Sequence, residues 1–168
     1  MIFFRTLISA ALISISTAGA VVAESSSTPA GEVILTVSGE ITAKDGHALF
    51  DLDMLEAIDN TNVVTQTVWT DGTQFFEGVS LVKLMDHLGV TTGTILATAI
   101  NDYTVEIPVS DAKEGGPIIA YRMNDVTMSV RDKGPLWIVY PYDDSSEFRT
   151  EVIYSRSIWQ LDRITVTK

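Results

Sequence analysis

Apolar residues in this chain gather in short β-branched and aromatic runs, separated by breaks rich in Gly, Pro, Asn and Asp. Such runs read as strands. Val33-Ile34-Leu35-Thr36-Val37-Ser38-Gly39 predicts the first, and Lys44-Asp45-Gly46-His47 a turn in which Gly46 takes positive φ. Phe50, Met54, Leu55 and Ile58 then fall at helical intervals, with Asp51 placed to cap them. Val63 to Trp69 predicts a strand and Thr70-Asp71-Gly72-Thr73 a turn. A second helix follows on Leu81, Leu84, Met85 and Leu88, from Ser80 as N-cap to Gly89 as stop. Further strands are predicted over 95–100, 104–107, 118–121, 136–140 and 164–166. Strands dominate and the helices do not alternate regularly with them, so the expected class is α+β, mixed and strand-rich, rather than a doubly wound parallel sheet. No internal repeat is visible.

The ends divide the chain. Arg5, an apolar run over Leu7 to Ile15 and the small-residue sites Ala18-Gly19-Ala20 and Val21-Val22-Ala23 read as a secretory signal, residues 1–23, with cleavage after Ala23. The competing reading is an uncleaved anchor, since 7–23 approaches the ~20 apolar residues that span a bilayer. Residues 24–31 (ESSSTPAG) form a flexible leader, and 32–168 a single domain. The expected location is the periplasm, with no stable membrane insertion after processing. Of 11 basic and 22 acidic residues only Arg5 lies in the signal, so the mature chain carries 10 against 22, a formal charge of -12. That charge argues against nucleic acid as partner, because such affinity comes mainly from Lys and Arg at phosphates. With no cysteine, neither disulfides nor a thiolate metal site exist.

Familiar catalytic templates fail. His47 sits in a turn and His87 on the polar side of a helix, without spacing for further metal ligands. There is no Gly-x-Ser-x-Gly elbow, and Gly115-Gly116 precedes Pro117 and a strand rather than a helix. Asp143, Asp144 and Glu147 read as a solvated acidic stretch. Catalytic and metal-binding residues are therefore expected to be none.

Five short motifs, in order, carry a resemblance: Phe76-Glu77-Gly78-Val79-Ser80-Leu81; Asn101-Asp102-Tyr103 with Ile107-Pro108; Ala120-Tyr121-Arg122-Met123-Asn124; Lys133-Gly134-Pro135-Leu136-Trp137 with Tyr140-Pro141; and Ile158-Trp159-Gln160-Leu161. Together they resemble the sulfite-oxidase type of molybdopterin-binding domain, over roughly residues 32–168. Enzymes of that family hold molybdenum through a cysteine thiolate, a soft ligand. Aligning on Trp69 puts Thr65 at that position, so the resemblance implies a pterin ligand without molybdenum. A flat pterin needs aromatic faces to stack on and an acceptor for its N–H edge. The pterin site residues so implied are Trp69 and Tyr103 for stacking, Asp102 for the edge with Asp143 and Asp144 in reserve, Tyr140 beside Pro141, and Arg131 and Lys133 toward the pterin tail. For any one of these aromatics taken alone, core packing is the ordinary explanation; for the two cations it is a solvated loop. Trp137 is read as structural or as pocket wall.

The chain is also similar to small periplasmic pterin-binding regulators. That similarity implies a non-enzymatic protein whose partners are a reduced pterin and the periplasmic domain of an inner-membrane receptor that makes or degrades cyclic di-GMP, a route to biofilm regulation. The alternatives are a molybdopterin-dependent oxidoreductase without Cys ligation and a generic periplasmic interaction module.

Overall fold

The strand-forming runs assemble into one ten-stranded sheet with three short α-helices, as seen in a computed structural model that describes residues 28–168. The expected signal segment 1–23 and the first half of the 24–31 leader lie outside the described residues. In chain order the elements are β1 (Leu35–Gly39), β2 (His47–Phe50), α1 (Leu52–Ile58), β3 (Thr61–Gln66), β4 (Thr73–Ser80), α2 (Leu81–His87), β5 (Thr94–Ala99), β6 (Thr104–Pro108), β7 (Ile118–Met123), β8 (Val126–Thr127), β9 (Leu136–Val139), α3 (Glu151–Arg156) and β10 (Trp159–Thr167). The expected mixed, strand-rich architecture is the one observed.

The sheet runs β2-β1-β10-β9-β7-β4-β3, with β5 and β6 branching from β10. β10 joins the two halves: its first residues pair with β9, and its later ones pair in parallel with β1 and antiparallel with β5. The register shifts between Trp159 and Leu161, where Gln160 takes a φ of 54°. A bulge of this kind re-aims side chains at the edge of a sheet. All four residues of β9 are buried, so the core lies around Leu136 to Val139 and is closed by Phe76, Leu81, Leu84 and Leu161.

Local chemistry explains the element ends. Asp51 caps α1 by accepting from Met54 N at 2.9 Å, and its other oxygen holds Ala30 N and Gly31 N at 2.8 Å. These backbone bonds, led by that from Gly31, keep its carboxyl below the usual carboxylate range. Ser80 does stand at the N-cap of α2, but its side chain makes no capping bond; its N–H instead donates to Asp59 Oδ2 at 3.0 Å. Gly89 ends that helix at a φ of 70°.

Several boundaries move from expectation. The strand expected over 63–69 begins at Thr61 and stops at Gln66, because the chain turns there and Thr67 Oγ1 accepts from Trp69 N. β10 is nine residues long, far beyond 164–166. Its strand character was masked by the charged pair Asp162-Arg163, half-buried here. Not foreseen were β2, β4, β8 and α3.

Candidate ligand-binding site

β10, α3 and the turns after β3 and β5 meet around a cleft of about 280 Å³. Its aromatic wall is Trp69, Tyr103, Tyr154 and Trp159; its polar lining includes Asn101, Ser155, Ser157 and Gln160. Among the described residues no charged side chain lines it, although the chain as a whole carries a formal charge of -11.

Trp69 organises the wall. Half-buried on the turn after β3, it meets four rings edge-on: Trp159 at 5.6 Å, Tyr154 at 5.8 Å, Trp137 at 5.9 Å and Tyr142 at 6.2 Å. Edge-to-face geometry directs ring edges to neighbouring faces and fixes the group as a unit. Trp137 lies fully buried behind it and donates from Nε1 to Ser157 O at 3.2 Å. Tyr142 donates to Ser157 Oγ at 2.7 Å, and Ser157 Oγ to Ile153 O at 2.8 Å, so this face of α3 is tied to the ring cluster. Burial pushes the Tyr142 phenol up to about 12.

The outer rim is more open. Tyr103 is 57% exposed and Trp159 37% exposed. Asn101 Oδ1 accepts from Tyr103 N at 3.2 Å, which leaves its amide nitrogen to donate. Gln160 Nε2 donates to Val130 O at 2.8 Å, which leaves its side-chain carbonyl to accept. The cleft thus offers aromatic faces with one neutral donor and one neutral acceptor at its rim.

Of the residues expected from the sequence, Trp69 and Tyr103 come together here. Asp102 stands between Asn101 and Tyr103 at a φ of 65°, but its carboxylate points to solvent and pairs with Arg163 at 2.8 Å. Arg163 also donates to Ala99 O, so the pair pins the turn that presents Asn101 and Tyr103. Lys133 is not among the lining residues; its carbonyl accepts from Gln160 N at 2.9 Å behind the cleft wall. Its ammonium sits 5.5 Å over the Trp137 ring, and Arg131 is exposed on the same loop. Asp143 is drawn to β3, accepting from Gln66 N at 2.7 Å. Asp144 is exposed outside the cleft lining.

Tyr140 is elsewhere. It is 1% exposed and donates to Asp111 Oδ2 at 2.8 Å, an oxygen shared with Arg156 at 2.9 Å. Burial, and then Asp111, push its phenol far above the ordinary tyrosine range. It lines a second, smaller cavity of about 170 Å³ with Lys113, Glu147 and Phe148. Thr65 is fully buried, and its hydroxyl accepts from Asp143 N at 3.1 Å and donates to Gln66 O at 3.3 Å. It lines neither cavity.

Sequence reasoning missed Tyr154, Ser155, Trp159 and Gln160 as cleft residues. A usable signal was present for Trp159, which stands between the buried Ile158 and the bulge in a motif already singled out. For Tyr154 there was none, because α3 was hidden in a polar stretch.

Residues 50–146 match the family described as the oxidoreductase molybdopterin binding domain. No curated protein matches the chain. The matched stretch supplies Trp69, Ala99, Asn101 and Tyr103 to the cleft, and the other six lining residues, Tyr154 to Gln160, follow it.

Proposed function

The chain belongs to the oxidoreductase molybdopterin-binding domain family, and from that premise we propose that it binds a pterin without molybdenum and acts by binding rather than by redox catalysis. The observation that carries this reading is the neutral, aromatic-walled cleft of Trp69, Tyr103, Tyr154 and Trp159. Rings at right angles give a flat bicycle both a face and an edge to meet. Asn101 and Gln160 complement its donor and acceptor edge.

The complete molybdenum cofactor does not fit these residues. No cysteine exists in the chain. Thr65, at the position implied for the thiolate, has a hydroxyl committed to Asp143 N and Gln66 O. A hard, doubly hydrogen-bonded hydroxyl does not replace a soft thiolate. The cleft is also at the small end of ligand pockets, which start at roughly 300 Å³, and no cation among the described residues lines it to meet a phosphate.

The physiological part of the proposal is that the protein is exported to the periplasm and reports pterin occupancy to an inner-membrane enzyme of cyclic di-GMP metabolism. It is what the resemblance read from the motifs implies, and its export step is supported by the Arg5 and Leu7 to Ile15 pattern of a secretory signal. Such a relay requires the receptor to prefer one ligand state, since a ligand shifts an equilibrium only by its differential affinity.

The test is calorimetric titration of the purified protein with a reduced pterin, alongside native mass spectrometry and metal analysis of protein taken from its own host. One pterin per chain with only trace molybdenum is the expected result. Near-stoichiometric molybdenum, or no pterin binding at all, overturns it.

A further inference from the structure

Strand β3 ends the sheet. It pairs with β4 on one side and, among the described residues, with no strand on the other. The direction of its backbone groups follows from two contacts. Phe75, opposite Val64, uses its carbonyl to accept from Asn124 N and its N–H to donate to Asn124 Oδ1. Those groups therefore face β7, and Val64 and Phe75 form a pair without mutual hydrogen bonds. In an antiparallel ladder such pairs alternate with bonded ones, so Asn62, Val64 and Gln66 turn their backbone groups away from β4. The Gln66 N–H confirms this, because it is met from outside the sheet by Asp143. The N–H and C=O of Asn62 and Val64 have no partner among the described residues.

Proteins normally protect such edges with charge, proline, bulges or brevity. Here β6 carries Glu106 and Pro108, and β2 is only four residues long. β3, by contrast, reads Thr-Asn-Val-Val-Thr-Gln, with neither charge nor proline and an unbroken register with β4. Val64 is 60% exposed and Val68, just beyond it, 63% exposed. Carboxylates stand at both ends: Asp59, which accepts from Thr61 Oγ1 at 2.7 Å, and Asp143, on Gln66. A second copy of this chain would bring the same carboxylates and another formal charge of -11 to the edge. An extended segment with basic ends is complementary to it.

We propose that β3 is a docking edge for an extended segment of another protein, which adds as a strand beside Asn62 and Val64, rests an apolar side chain on Val64 and carries Lys or Arg toward Asp59 and Asp143. Backbone bonds supply the affinity of such strand addition and alternate side chains its specificity. The edge also leads toward the cleft: β3 runs into the turn bearing Trp69, and Thr65 ties it to the 141–144 loop, so a strand docked here lies on the element that continues into the cleft wall. The inference supplies a surface for the partner of the preceding reading, and it stands whether or not the cleft takes a pterin.

The experiment uses the full chain, an extended probe peptide of alternating Thr and Val with Lys at both ends, and amide hydrogen exchange resolved by residue. Protection of the Asn62 and Val64 amides is expected on adding the peptide. It should be lost with a peptide N-methylated along its pairing edge and weakened about tenfold or more with Glu in place of the terminal Lys. Val64→Lys should block docking equally while leaving pterin titration unchanged. Val64→Pro, which removes an outward N–H along with the valine side chain, is the second variant, of a kind that edge strands tolerate. Protection confined to other edges or to the cleft, unchanged binding by both variants, or concentration-dependent dimerisation through β3 overturns the proposal. Docking without pterin binding, or pterin binding without docking, separates the fate of this inference from that of the preceding reading.

Discussion

At the scale of single residues the cleft separates groups that shape it from groups that face it. Trp69 is gripped by four rings, so Trp69→Ala empties the centre of a cluster and should cost about 3–5 kcal/mol of stability along with the site. Trp159 is the cleaner probe, being more exposed. Trp159→Ala should weaken pterin binding by roughly five- to tenfold, the worth of a stacking contact of on the order of 1 kcal/mol, with little change in the unfolding midpoint; titration and thermal melts of the same preparation check both. Thr65 provides the opposite case. Because its side chain is fully buried and lines no cavity, the thiol of Thr65→Cys should stay unreactive toward a thiol reagent until the protein is unfolded. Rapid labelling in the native state would show that the site reaches this position. That Trp69 and Tyr103 would stand at loops near one end of the sheet was legible, because an aromatic beside a turn announces itself, and both line the cleft. Asp102 was not legible as the partner of Arg163, since their 2.8 Å contact joins residues 61 positions apart and only the β5–β10 pairing makes it.

Among the elements, α3 has the greatest consequence for the site and left the weakest trace in the sequence. Its six residues put Tyr154 and Ser155 on the cleft and Arg156 against Asp111 on the other side. A helix this short has little intrinsic stability, and packing with a cap must hold it. The cap is Thr150, whose side chain accepts from Ile153 N at 3.3 Å. Thr150→Ala should therefore cost about 0.5–2 kcal/mol and lower pterin affinity as well, because it frees one wall; Thr150→Ser should restore both. Equal affinity in the alanine variant would show that α3 keeps its position without the cap. The run from Asp143 to Ser157 gives no long apolar stripe, which is why no helix is read there and only its acidic start, Asp143, Asp144 and Glu147, is read at all. β4 was missed for another reason. Its last five residues lie in the Phe76 to Leu81 motif, which was read only as leading into a helix; that helix does start at Leu81, but the strand before it went unread. The glycine in that motif has a steric basis: a Cβ on Gly78 would lie 2.3 Å from Ile119 O across the β4–β7 pairing. The mixed class, both early helices and most strand centres follow from local patterns; the branching of β10 does not, because it depends on which strands meet.

For the molecule as a whole, no disulfide supports the fold, and buried aromatics carry much of its core. Three of its five tyrosines are 2% exposed or less, and burial pushes Tyr121 and Tyr142 up to about 12 and Tyr140 higher still. The Tyr121 hydroxyl has no hydrogen-bond partner among the described residues, and Glu77 disfavours its ionisation further. An unfolded tyrosine ionises near pH ~10. Below that value both states keep their phenol protons, and these groups add no pH dependence. As pH rises through it, the unfolded chain releases protons that the native core retains, so stability falls, by up to roughly 1.4 kcal/mol per pH unit for each buried tyrosine. Chemical denaturation should therefore show no tyrosine-dependent change in stability from neutral pH to about 9 and a steep decline above about 10. Lysines titrate in the same range, so Tyr142→Phe serves as the control. It loses the 2.7 Å bond to Ser157 and with it some stability at neutral pH, yet its alkaline decline should be shallower by about one proton. A variant that declines as steeply as the parent would mean that Tyr142 ionises without unfolding, and that the ring cluster behind the cleft is open to hydroxide.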